Sequence, residues 1–171
     1  MRYFKFALFC GIAFAVIALS VSYLRKTSTS FNFFFSPKDL YSELAISDFD
    51  FSGTQSERNL DFIHKYPGNH QISILVENPA EITEPYVTDF IVRIAIYNKT
   101  EKLLERISSD SNRMFWGGAT NSGFSLLHYK VPDDLPIGVE LRANIVITEP
   151  DLDFESRYGK QRIRISKFSD E

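Results

Sequence analysis

The order of apolar and polar positions divides the chain near residue 26. Phe6 to Leu24 reads FALFCGIAFAVIALSVSYL, nineteen residues without a charge, with Arg2 and Lys5 before it and Arg25 and Lys26 after it. An uncharged run of that length crosses the hydrocarbon core of a bilayer as a single helix. After residue 44 the apolar period shortens to two, the signature of strands with one buried face. Phe49 and Phe51, Leu60 and Phe62, and Ile72, Ile74 and Val76 alternate in this way. Phe90, Val92, Ile94 and Ile96 form the clearest such set, followed by Lys102 to Ile107, Phe124 to Val131, Val139 to Thr148 and Arg162 to Phe168.

Turn signals separate these runs. Ser52-Gly53, Tyr66-Pro67-Gly68-Asn69, Asn98-Lys99-Thr100 and the segment Pro132 to Gly138 supply the residues that tight turns require. Leu60 and Phe62 on one side of Pro67-Gly68 and Ile72 and Ile74 on the other predict a β-hairpin, with His64 facing His70 across it. Between the two regions, Thr27 to Ser30 reads as a polar spacer. It is followed by a first strand at Phe31 to Phe35 and a short helix that Ser36 caps and Pro37 opens, running to about Leu44. Seven to nine short strands with no long helix among them predict an all-β fold. The expected domain is an antiparallel β-sandwich, immunoglobulin-like or similar, over residues 45–171 behind the N-terminal helix of residues 1–26.

The charges place that domain. The first segment is either a cleaved signal peptide, with small residues at Ala18, Ser20 and Ser22, or an uncleaved anchor. Its spanning length and the charges at Arg25 and Lys26 favour the anchor. Positive charges at the amino terminus, Arg2 and Lys5 against Arg25 and Lys26 favour export of the domain to the periplasmic side of a bacterial inner membrane. Cys10 follows bulky Phe9 inside the apolar run, which is not the setting of a lipid-modified cysteine. All four basic residues of the first 26 lie in the helical segment, so the rest of the chain holds 15 basic and 22 acidic residues, a net charge of −7. A domain of that sign repels phosphate backbones, and nucleic acid is not an expected partner. With its single cysteine in the helix, the domain has neither a disulfide framework nor a cysteine zinc site.

No motif points to catalysis, a metal or a cofactor. Asp48-Phe49-Asp50-Phe51-Ser52-Gly53 matches the first half of a calcium loop, but Asn59 stands where the loop needs a bidentate Glu. Glu149, Asp151, Asp153 and Glu155 alternate as a solvated acidic loop would. Arg162 and Arg164 read as charges that guard an edge strand. Ser125 and His128 lack the turn of a nucleophile elbow. The expected contact surface is Arg113, Met114, Phe115 and Trp116, where the chain's single Trp stands beside Gly117 and Gly118, with Tyr158 as a second aromatic. The competing reading of Phe115 and Trp116 is a strand closed by a Gly-Gly turn. The functional expectation is a noncatalytic binding module of the cell envelope, attached to the membrane through residues 6–24 and directed at another envelope protein. Its alternatives are a carbohydrate- or cell-wall-binding module that stacks sugars on Trp116 and Tyr158, and a hydrolase or metal enzyme built on His64, His70 or His128.

Overall fold

The computed structural model describes residues 2–53, 57–78, 88–109, 113–117 and 122–168. Helix α1 (Arg2–Thr27) contains the apolar run. Its Phe9–Thr27 stretch has a mean hydropathy of 1.5, and none of it is buried. A helix that leaves Phe14, Ile17 and Leu19 exposed suits lipid rather than water, whether as an anchor or as a signal sequence.

The aromatic segment after it is helical, not the expected strand. Helix α2 (Thr29–Phe34) begins where the Ser28 hydroxyl accepts from the Phe31 amide, and Phe31 stacks on Phe35 at 4.9 Å. A single capping serine is enough to restart a helix directly after α1, and the i,i+4 ring contact then stabilises it. The helix expected over Ser36 to Leu44 is instead a pair of turns, in which Leu40 donates to the Pro37 carbonyl and Ser42 to that of Asp39. The Asp39 carboxylate is drawn away to the Tyr66 hydroxyl at 2.5 Å and the Lys65 ammonium at 3.1 Å. Leu40 is buried.

Nine strands follow among the described residues: β1 (Glu43–Asp48), β2 (Glu57–Ile63), β3 (Asn69–Val76), β4 (Ile91–Asn98), β5 (Glu101–Ser108), β6 (Met114–Gly117), β7 (Ser122–Lys130), β8 (Glu140–Glu149) and β9 (Gln161–Lys167). They form two antiparallel sheets, ordered β1-β9-β3-β7-β6 and β2-β8-β4-β5. One buried cluster takes side chains from both: Ile72, Ile74, Phe124, Ile163 and Ile165 from the first, Phe62, Val92, Ile94, Leu141 and Ile145 from the second.

Two expectations about pairing change here. The segments around Leu60 and Ile72 are not a hairpin. Strand β2 pairs with β8 and β3 with β7 and β9, so the chain crosses between sheets at Tyr66 to Gly68. Both strands turn apolar faces to the same core from opposite sides, a pattern that alternation cannot tell from a hairpin. Strand β9 is interior, hydrogen-bonded on both flanks, so Arg162 and Arg164 guard no edge. The β4–β5 hairpin forms as expected, with Lys99 in the left-handed region at φ 54°.

The short helix α3 (Phe154–Tyr158) lies in the segment expected to be an acidic loop. Asp151 is buried there, accepting from the amides of Asp89 and Asp153 and pairing with the Arg157 guanidinium. It ties the entry to β4 to the exit from β8.

Candidate functional site

Strand β6 is where the sequence placed its contact surface, and the structure sorts those residues by side. Phe115 turns toward the core, edge-on to Phe124 at 5.9 Å. Its neighbours Met114 and Trp116 therefore face outward. Met114 is 55% exposed. Trp116 lies opposite Gly123 on β7 and is half-buried, with the Arg164 guanidinium 4.6 Å from its ring centroid. Arg164 reaches it from β9, on the far side of β3 and β7, and Ser73, Leu75 and Ser125 on those strands are buried. Burial holds the Arg164 pKa below the usual arginine range. The indole N–H of Trp116 is buried without a hydrogen-bond partner among the described residues.

Arg113 is structural. It is 7% exposed and stacks 3.6 Å from the Phe90 ring centroid. Its guanidinium donates to Thr88 Oγ1 and the Phe90 carbonyl, both at 2.5 Å, and to the Ser108 carbonyl at 3.0 Å. Tyr158 is a core residue at 4% exposure, packed on Phe124 and Phe154, and offers no face to a sugar ring. Of the five residues expected at the surface, Met114 alone is broadly exposed. The strand reading of Phe115 and Trp116 is the one the structure adopts; the residues between Gly117 and Ser122 lie outside the described set.

The sequence reading missed the other side of this surface. Ile107 on β5 is 63% exposed. With Arg106, Met114 and Ser125 to His128 it lines a groove of about 290 Å³ between the facing edges of the two sheets. The alternation of β5 marks Ile107 only as apolar, and sheet order, which the sequence does not give, brings it beside Met114.

The histidines divide between two places. His64 and His70 come together with ring centroids 5.4 Å apart, His70 also stacking on Tyr129 at 5.6 Å. Desolvation pushes the His70 pKa down to about 4 and lowers that of His64, in each case helped by nearby Lys167. Both rings are therefore neutral at pH 7. Burial raises the Tyr129 pKa. A bulge in β7 puts Ser125 and His128 on one face, with Ser125 Oγ 2.9 Å from His128 Nε2 and the imidazole stacked on Phe168 at 4.0 Å. Ser125 is itself buried. No cluster of three or more His, Cys, Asp or Glu suited to a metal ion occurs among the described residues. Asp50 in the calcium-like segment accepts from the amide and hydroxyl of Ser52, an Asx turn leading to Gly53 at φ 105°.

No family model matches this sequence, and no curated protein matches it. A crystal structure of a protein from Sulfurospirillum deleyianum is similar over 72% of this chain and 96% of its own, at 12% identity and a TM-score of 0.48.

Proposed function

We propose that the chain is a membrane-tethered β-sandwich that acts as a noncatalytic binding module of the cell envelope. Helix α1 holds it in a bacterial inner membrane with the sandwich on the periplasmic side, where it engages another envelope protein. The observation that carries this reading is the pairing of Met114 and Ile107. Two large apolar side chains stay more than half exposed, at 55% and 63%, on either side of one groove, although the domain has a filled core beside them. Exposed apolar side chains gathered at a concave edge are the common mark of a protein contact. The anchor adds to affinity, because confinement to one membrane raises the local concentration of a membrane-bound partner.

The test is affinity capture of the tagged full-length protein from native membranes after mild crosslinking, set beside a Met114→Ala, Ile107→Ala double variant with an unchanged melting temperature. One dominant envelope protein, reduced at least tenfold by the double variant, is the expected result. Equal capture by both proteins would contradict the reading.

A further inference from the structure

Among the described residues the two sheets have four edge strands, and these are not alike. Strand β1 carries Glu43 and Asp48, β2 carries Glu57, Arg58 and Asp61, and β5 carries Glu101, Lys102, Glu105 and Arg106. Strand β6, the fourth, reads Met-Phe-Trp-Gly and holds no charge. Charged side chains on an edge prevent an unrelated strand from pairing with it, and an edge without them is a template for pairing. The opposite side of the molecule is closed as well as charged, since the Arg58 guanidinium of β2 donates to the Asp48 carbonyl of β1 at 3.1 Å. On the β6 side the sheets are separated by the groove of Ile107 and Met114.

We infer that the partner is bound by strand addition: an extended segment of a different envelope protein lies along β6 and continues its sheet. This rests on the binding reading above and names how the contact is made. Main-chain hydrogen bonds to the β6 edge would supply affinity, and alternate side chains of the added strand would supply specificity. Those facing the groove are apolar, to cover Met114 and Ile107. Arg106 is the one charged residue of the described groove lining, so an acidic residue of the added strand belongs opposite it. A second copy of this chain fits less well. Two domains of net charge −7 repel each other, and β6 contributes no charge to offset this.

The experiment places a photo-crosslinking side chain at position 114, and separately at 116, of the full-length protein in native membranes, and identifies the linked residues by mass spectrometry. Strand addition predicts that the two positions link residues two apart on one segment of a single partner, and that Met114→Lys lowers capture at least tenfold. Should Met114→Lys shift the melting temperature, Ile107→Lys on the facing strand carries the same test. Linked residues spaced three or four apart, links only to other copies of this chain, or capture unchanged by the lysine would each overturn the inference. Links spaced three or four apart, together with capture lost in the Met114→Ala, Ile107→Ala variant, would overturn strand addition while leaving the binding reading intact; a partner captured from another surface would contradict both. No captured protein at any position would remove both.

Discussion

His64 and His70 meet with ring centroids 5.4 Å apart although the strands beside them, β2 and β3, belong to different sheets. The contact fastens the two layers at the end where the chain crosses between them. Both rings are buried, and Lys167 next to them discourages a further positive charge.

Acid should therefore loosen this end of the domain. A histidine with a depressed folded pKa leaves stability at its full value above the unfolded pKa, near 6.5. Stability then falls with the pH, because the unfolded chain takes up protons that the folded one refuses. For His70 the window runs from about 6.5 down to about 4. By linkage the loss is on the order of 3 kcal/mol for this one group. Denaturant titrations at pH 7.5, 6, 5 and 4.5 check it, and a His70→Gln variant should show a shallower slope. Identical slopes would remove His70 as the cause.

The histidine pair also shows what the sequence could and could not carry. Read from the sequence, the imidazoles face each other across a hairpin that does not form; they meet instead between two sheets. The true pairing was not legible, because alternation reports which face of a strand is buried and never which strand lies beside it. The same limit hid the interior place of β9, and it hid the approach of Ile107 to Met114. Strands β4, β5, β7, β8 and β9 were readable because each run is long and alternating. Phe31 to Phe35 was misread because its period-two aromatics also fit one helical turn, and Ser28 decides between the two.

Arg113 is predicted to be irreplaceable by another cation. Its planar fork serves the Phe90 and Ser108 carbonyls and Thr88 while lying flat on the Phe90 ring. Lysine matches the charge but neither the fork nor the stacking face. Both Arg113→Lys and Arg113→Ala should destabilise by roughly 2 to 4 kcal/mol, since either leaves buried acceptors without donors. Chemical denaturation measures this. A lysine variant as stable as the wild type would show that charge alone suffices.

Gly123 is fixed by space. A Cβ there would stand 1.7 Å from the Ile74 carbonyl oxygen on β3. Gly123→Ala must push β7 off β3, at a cost of about 3 kcal/mol or more, beyond the usual range for a surface strand. Circular dichroism during thermal unfolding should show a clear drop in melting temperature. An unchanged melting temperature would mean that the two strands separate more easily than their pairing suggests.

Trp116 is the single Trp of the chain, so its fluorescence reports one site. With Arg164 stacked on it, the indole is shielded on one face. Arg164→Ala should shift the emission to longer wavelength and cost about 1 kcal/mol from the lost cation–π contact and packing. An unshifted spectrum would place the two side chains apart in solution.

The account depends most on β6 being the edge that binds, and a lysine scan of all four edges tests this directly. Ser47→Lys on β1, Asn59→Lys on β2, Glu101→Lys on β5 and Met114→Lys on β6, each in the full-length protein, are compared for what they capture from native membranes. The account predicts loss of the captured partner for Met114→Lys alone, with the other three at wild-type levels. Capture that survives Met114→Lys but fails for an edge already carrying charges would contradict it.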